Sequence, residues 1–332
     1  MRKISMRAAI NEALHIAFNS DNTIFTMGED IAVYGGQLRC SYNLVENFGT
    51  DRVIDTPISE MAIVGAGVGA SLLGMRPIVE LSYIDFIGTS FDQILNQAAK
   101  LRYMYGGMVN LPLVIRTQCG AGLGNGAQHS QSLEAILAHI PGIRVLMPSN
   151  AYDAKGLLLR AIRDNNPVVF IEHKALYKIK CEVPEEPYEC DYTCDIKRTG
   201  RDITIVSYSA MVNQALAAAE QLATEGIDAE VVDVRALEPF DTVTIIQSVK
   251  KTGRMVVVHE ACRKGGFGAE IAATVQEMAF NSLRAPIRRV GAPNAPVPFA
   301  PVLERSFVPD KDKVIEAVRS CFKSQITEKV EI

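Results

Sequence analysis

The chain reads as an α/β protein made of two doubly wound domains, and three observations predict it. Short apolar runs alternate with helical-period segments along nearly all of the 332 residues. That alternation is the pattern of βα units and of a largely parallel sheet covered on both faces. The length itself allows about two domains of ~150 residues each. The alternation also breaks only once, at 181–201, into charged and proline-containing sequence that includes Pro184, Glu185, Glu186 and Pro187. The expected division is a first domain over 1–185, a linker over 186–198 and a second domain over 199–332.

Taken in order, helical structure begins near residue 5, where Ala9, Ile10, Ala13, Leu14, Ala17 and Phe18 recur at helical spacing. Apolar runs predict strands over 23–27, 77–81, 111–116, 143–147 and 167–172. Between them, helical periodicity predicts helices over 59–74, 86–105, 133–140 and 152–163. In the second half the strands are 203–207, 229–232 and 255–259, and the helices 215–223, 242–249, 269–278 and 313–321. There is no internal repeat and no low-complexity tract.

Composition narrows the function. Apolar residues make up 48% and charged residues 22%, too apolar for a disordered chain. The net charge of −4 argues against a nucleic-acid partner, which calls for a basic surplus. The longest apolar run, 61–75, contains four glycines and a serine and is shorter than the ~20 residues a membrane span needs. Asn11, Glu12 and His15 interrupt any signal-peptide core, leaving no room for a removable leader. The seven cysteines are dispersed and odd in number, with no CxxC pair, which suits reduced thiols in a cytoplasm.

Three glycine clusters invite a nucleotide reading. Residues 65–70 fit GxGxxG/A, with Asp85 twenty residues on, but Pro57, Ser59 and Glu60 stand where the motif needs a strand. Small residues there suit a helix packed close to its neighbours. Gly265, Gly266, Phe267 and Gly268 read as a tight strand-to-helix turn. Gly120, Gly122, Gly124 and Gly126 lead into His129; such a run lets backbone N–H groups approach a ligand and places His129 at a mobile loop edge. A loop histidine on its own is usually only solvated.

Asp55, Thr56, Pro57, Ile58, Ser59 and Glu60 read as a helix start, with Thr56 as N-cap and Pro57 as the first helical residue. Glu60 then lies in the first turn, where its charge favours the helix dipole. The residues after it (Met61, Ala62, Ile63, Val64) are apolar all round, which implies a buried helix. A glutamate at its mouth needs a hydrogen-bonding partner.

Several long segments together resemble one family. DTPISEMAIVGAGVGA, IVELSYIDFIGTSFDQILNQAAK, GAQHSQSLEAILAHIPGIRVLMPSN, DAKGLLLRAIRDNNPVVF and VVVHEACRKGGFGAE are similar to the β subunit of thiamine-diphosphate-dependent 2-oxo acid dehydrogenases. These are the first components of the pyruvate, branched-chain and acetoin dehydrogenase complexes. The resemblance runs from about residue 4 to residue 322. EHKALYK, EVPEEPY and RYMYGG make it strongest toward acetoin dehydrogenase β chains, with bacterial pyruvate dehydrogenase β chains close behind and the branched-chain enzyme as the alternative. The fold implied is an N-terminal thiamine-pyrimidine-binding domain followed by a C-terminal transketolase-type domain.

The resemblance implies a partner for Glu60. The matching glutamate hydrogen-bonds a ring nitrogen of the cofactor's aminopyrimidine, favouring the imino tautomer that removes the thiazolium proton. Phe86 matches the aromatic residue packed on that ring, and Ile58 an apolar residue of the same pocket. His129 matches the active-site histidine near the substrate and the incoming lipoyl group. Glu29 and Asp92 match acids facing the region between paired active sites. His15, His139, His173 and His259 have no match and read as structural.

Asp164, Asn165, Asn166 and Pro167 would pass as a plain turn. By resemblance they border a structural potassium site, formed by the carbonyls of Leu113, Ala161 and Ile162 with Asp164 and Asn166, an oxygen set suited to a hard cation. The family's magnesium motif, GDG…N, belongs to the α subunit, and no Gly-Asp-Gly occurs here. Half a cofactor site implies an α partner, two α with two β chains, and a lipoyl acyltransferase that takes the acyl group. Two readings compete: a nicotinamide-dependent oxidoreductase built on 65–70, and a non-catalytic scaffold, which would need neither Glu60 nor His129. A self-sufficient transketolase is excluded by length and by the missing magnesium motif.

Overall fold

The computed structural model describes residues 1–322, so the last ten residues of the expected second domain lie outside the described residues. The first half runs β1 (Arg2–Ser5), α1 (Met6–Ser20), β2 (Ile24–Gly28), α2 (Leu44–Phe48), β3 (Val53–Asp55), α3 (Glu60–Leu72), β4 (Arg76–Leu81), α4 (Leu101–Met104) and β5 (Val114–Cys119). It continues with α5 (Glu134–Ala138), β6 (Arg144–Leu146), α6 (Ala151–Arg163), β7 (Val168–His173) and β8 (Lys180–Val183). The second half contains β9 (Asp195–Arg198), β10 (Ile203–Ser207), α7 (Met211–Thr224), β11 (Ala229–Asp233), β12 (Ala236–Glu238) and α8 (Thr242–Thr252). It ends with β13 (Met255–Cys262), α9 (Gly268–Ala279), β14 (Arg288–Ala292), α10 (Pro301–Phe307) and α11 (Lys311–Ser320).

Two α/β sheets result, as expected. The first has strand order β12-β6-β7-β5-β4-β2-β3 and the second β14-β13-β10-β11-β9. All neighbours are parallel except the edge strands β12 and β9, which are antiparallel to β6 and β11. β2, β5, β7, β10 and β11 are buried along their whole length, which is why they read as continuous apolar runs rather than alternating ones. The two halves are not independent. β12 leaves the second half to close the edge of the first sheet, and Val145 and Met147 share one apolar cluster with Val232, Val234 and Leu237.

The structure corrects several expectations. β5 starts at Val114 rather than at residue 111, because Pro112 has no N–H for the ladder and Leu111 N–H donates instead to the Asn165 carbonyl. The helix expected over 86–105 is broken into a 3₁₀ turn at Ile84–Gly88, a π-helical turn at Gln93–Ala98 and the short α4. The hydroxyls of Thr89 and Ser90 bond back to the carbonyls of Phe86 and Ile87, competing with the regular helical pattern. Within the stretch read as linker, residues 195–198 form β9. Its charges are paired rather than solvated: Lys197 reaches Asp153 and Asp195, and Arg198 reaches Asp228.

Two further corrections concern α3. It begins at Glu60 with Ser59 as N-cap, not at Pro57. It is also not buried all round. Ile63, Val64, Gly67, Val68 and Ser71 face inward, whereas Met61 (56% exposed) and Leu72 face out, with Leu73 (87%) just beyond. A Cβ at Gly67 would lie 2.9 Å from both Leu113 and Val79 side chains, so glycine is what lets α3 press onto the sheet. Residues 65–70 lie inside this helix, away from any strand-to-helix turn, which removes the nicotinamide reading. Among the described residues no helix is long and apolar enough to cross a membrane.

Candidate active site

In a parallel sheet with helices on both faces, ligand sites form at the carboxyl ends of the strands. Here Glu29 follows β2, the segment containing Tyr83 and Phe86 follows β4, and the glycine loop with His129 follows β5. Glu60 opens α3.

Glu60 is 8% exposed, and its Oε2 accepts a hydrogen bond from Thr89 Oγ1 at 3.0 Å. Thr89 Oγ1 also lies 2.8 Å from the Phe86 carbonyl. One hydroxyl proton serves one of these acceptors at a time. With Glu60 ionised, Thr89 donates to the carboxylate. With Glu60 protonated, the carboxyl donates to Thr89, which donates on to Phe86. Both protonation states are therefore accommodated without an orphaned buried group. No hydrogen bond reaches Glu60 Oε1 among the described residues. Glu29 is close by: burial, and next the Glu60 charge, hold its carboxyl above the usual carboxylate range against a bond from Ser82.

Phe86 and His129 come together. The His129 ring meets Tyr83 edge-on at 4.9 Å and Phe86 at 5.5 Å between centroids, and Tyr83 lies 6.3 Å from Phe86. Lys174 Nζ donates to the His129 carbonyl and sits 5.1 Å over the Tyr83 ring; burial holds its ammonium below the usual lysine range. The far end of the loop is fixed by Gln131, whose backbone N–H and side-chain amide both donate to Asp85 Oδ1. Thr89, Tyr83 and Lys174 were missed in the sequence, although all three lie in motifs that carried the resemblance.

The glycine run has a different role from the one expected. Three N–H groups within it face the second half of the chain. Ala121 N–H donates to Glu260 (2.6 Å), and Gly122 and Gly124 N–H donate to Glu304 (2.7 and 3.0 Å). His173 Nε2 lies 2.8 Å from the other Glu260 oxygen. Burial alone would raise the Glu260 carboxyl, but His173 and the Ala121 N–H outweigh it and hold it below the usual range.

Two expected site residues stand apart. Ile58 is 81% exposed. Asp92 is also exposed, and its carboxylate bonds to Asn96 and Gln93. Around Asp164, the Ala161 carbonyl accepts from Asp164 N–H, the Leu113 carbonyl from Val168 N–H and the Ile162 carbonyl from Arg76. Each carbonyl oxygen has a second lone pair, Asn166 Oδ1 accepts no bond among the described residues, and Asp164 Oδ1 accepts from the Asn166 backbone N–H and side-chain amide. Asp164 is already shared: Arg144 Nε lies 2.5 Å from Oδ2, and Tyr192 donates to the same oxygen.

The residues also fit an aminopyrimidine-bearing cofactor. Glu60 offers a shielded carboxylate with an unused oxygen, and Phe86 offers a half-buried aromatic ring on the same segment as Thr89.

Comparison with known proteins agrees with this geometry. Residues 2–180 match the model for the transketolase pyrimidine binding domain and residues 193–314 that for the transketolase C-terminal domain. The β subunit of acetoin:2,6-dichlorophenolindophenol oxidoreductase from Cupriavidus necator is 47% identical over 333 residues, covering 97% of this chain and 98% of the relative. The pyruvate dehydrogenase E1 component β subunit of Staphylococcus epidermidis is 42% identical over 322 residues, covering 96% and 99%. Among solved structures, a split-gene transketolase in an inactive β4 tetramer superposes with a TM-score of 0.79 at 23% identity, covering 96% of this chain and 98% of that one, and shares the fold. With both domains matched in order and the relatives aligned over nearly their whole length, the chain belongs to the transketolase-like family of dehydrogenase β subunits that includes those of acetoin and pyruvate dehydrogenases.

Proposed function

We propose that this chain is the β half of a thiamine-diphosphate-dependent dehydrogenase that cleaves acetoin or decarboxylates a 2-oxo acid such as pyruvate. The acyl group passes to a lipoyl-lysine of an acyltransferase component. Thiamine diphosphate, once bound, supplies the carbanion-stabilising chemistry; the chain supplies proton handling and orientation. The observation that carries the reading is Glu60, a shielded carboxylate opening α3 with one oxygen held by Thr89 and the other unused. Glu60 holds a proton at its carboxyl and exchanges it with the cofactor's ring nitrogen. Phe86 orients the ring by packing, Ile58 contributes from the rim, and His129 positions or protonates the acyl group during transfer.

The uncovered face of α3 supports an α partner. Ile58, Met61 and Leu73 are exposed beside Ala62, Ala66 and Gly69, a surface that admits a closely packed helix. The partner also supplies the magnesium-bridged diphosphate contacts for which this chain has no motif, and two-fold pairing gives two α and two β chains. The second half, from about Thr199, is left to dock the acyltransferase, and the oxygen set around Asp164 holds potassium as a structural ion. Acetoin leads pyruvate as substrate, since the acetoin relative is 47% identical against 42%. Steady-state rates of the reconstituted αβ pair on acetoin, pyruvate and a branched-chain 2-oxo acid test the reading. Absence of thiamine-dependent turnover on all three refutes it.

A further inference from the structure

We propose that Glu304 and Glu260, both from the second half of the chain, are positioning residues that hold the His129 loop in its working conformation and so tie the C-terminal domain to acyl transfer. The inference rests on the role given to His129 above.

One internal backbone bond, from Gly120 N–H to the Gln131 carbonyl, closes the base of the loop, and the residues between need anchors from outside it. Gly120, Gly122, Gly124 and Gly126 all have positive φ, between +67° and +103°, and glycine loses more conformational freedom on ordering than any other residue. Backbone N–H groups turned inward along such a loop form an anion-binding concavity. Here the anion belongs to the chain itself. Glu304, 4% exposed on α10, accepts from Gly122 at Oε1 and from Gly124 at both oxygens. Glu260, 8% exposed on β13, takes Ala121 N–H on one oxygen and His173 Nε2 on the other. The His173 tautomer follows from its contacts. Nδ1 accepts from Ala175 N–H, so Nε2 carries the proton given to Glu260. A Cβ at Gly120 would lie 2.0 Å from His173 Nε2, so the loop closes on the histidine only because residue 120 is glycine. Lys174 and Asp85 anchor the other end, leaving the His129 ring against Tyr83 and Phe86.

Glu304→Gln keeps the shape and removes the charge. Its carbonyl oxygen can still accept from both N–H groups, as Oε1 does now, but without charge, and the contact that Gly124 N–H makes with the second oxygen is lost to an amide NH2. Charge-assisted bonds are about twice as strong as neutral ones, so loosening on the order of tenfold is expected. Glu260→Gln tests the second anchor independently.

The experiment uses the assembled αβ enzyme carrying Glu304→Gln, Glu260→Gln or His129→Ala. Amide hydrogen exchange is followed in peptides covering 120–131, and the rate of acyl transfer to the lipoyl domain is divided by the rate with an artificial electron acceptor. Both glutamate variants should exchange faster across the loop, on the order of tenfold, and lower the ratio by a similar factor. The KM for the small substrate should stay unchanged. Unchanged exchange in both variants overturns the proposal. Faster exchange with an unchanged ratio overturns the tie to acyl transfer. A ratio that survives His129→Ala instead removes the role given to His129, and that result is separate from the loop's exchange behaviour.

Discussion

Glu60→Gln separates the chemistry of this residue from its structural place. The amide is isosteric, and its carbonyl oxygen can still accept the 3.0 Å Thr89 bond, so the opening of α3 keeps its local contacts. What it loses is the ability to take up and release a proton and the charge-assisted half of any bond to a ring nitrogen. A positioned acid or base is worth roughly 10²- to 10⁴-fold, or about 3–5 kcal/mol of barrier at 1.36 kcal/mol per decade. Folding should not suffer, because the mutation removes a shielded charge beside a second carboxylate. Burial and then the Glu60 charge hold Glu29 above its usual range; with the second cause removed, Glu29 should titrate lower than in the wild type. The decisive assay is hydrogen–deuterium exchange at the thiazolium carbon of thiamine diphosphate in the αβ enzyme, run beside thermal melts. Exchange within a few-fold of wild type, with an unchanged melting temperature, would refute the assignment of Glu60.

Four other perturbations test the rest. His129→Ala should slow acyl transfer to the lipoyl group more than turnover with an artificial electron acceptor; equal rates in both assays would make His129 a bystander. Removing potassium should lower the melting temperature, and Asp164→Ala should abolish that response. A wild-type melt that ignores potassium would mean that the contacts of Arg76, Arg144 and Tyr192 hold the loop without an ion. Burial, and next the charge of Asp153, push the Asp233 carboxyl up to about 7. A raised carboxyl contributes stability below its unfolded pKa of ~3.9 and loses it as pH rises through the folded value, so wild-type stability measured against Asp233→Asn should fall between about pH 4 and about pH 7. A constant difference would show Asp233 ionised throughout. Expressed alone, the chain should bind thiamine diphosphate barely or not at all by calorimetry even in excess magnesium, since the pyrimidine contacts must also offset the ligand's lost freedom; tight binding without α would overturn the division of the site.

The parallel strands were legible because burial on both faces leaves an unbroken apolar run, and β10 occupies the expected 203–207. The edge strands were not. β3, β9 and β12 have only three or four residues, and β9 and β14 carry Lys197, Arg198, Arg288 and Arg289, which look solvated when read locally. Their pairing is decided by distant strands. A usable signal did exist inside the sheet: Glu80, Arg116 and Glu172 are charged residues within otherwise apolar runs. An uncompensated charge there costs several kcal/mol, so they had to find one another. They do, on the adjacent strands β4, β5 and β7, with Arg116 Nη1 and Nε each 2.7 Å from a carboxylate.

The same contrast explains the site. The need of Glu60 for a hydrogen-bonding partner was readable because a glutamate heading an apolar helix is a local signal, and Thr89 meets it. Glu260 and Glu304 make equal demands, but their partners are backbone N–H groups of residues 121–124, more than a hundred positions away. The glycine run advertised those N–H groups as a site for an outside ligand, and only the fold shows them already held. On the reading proposed above, the His129 loop is completed from within the chain, by the second half. Glu60 lies under the exposed end of α3, where Ile58 and Met61 face outward, and on the same reading its site is completed by the α partner. An α subunit should accordingly have its largest effect on proton exchange at the cofactor, and changes in the second half their largest effect on transfer to the lipoyl group.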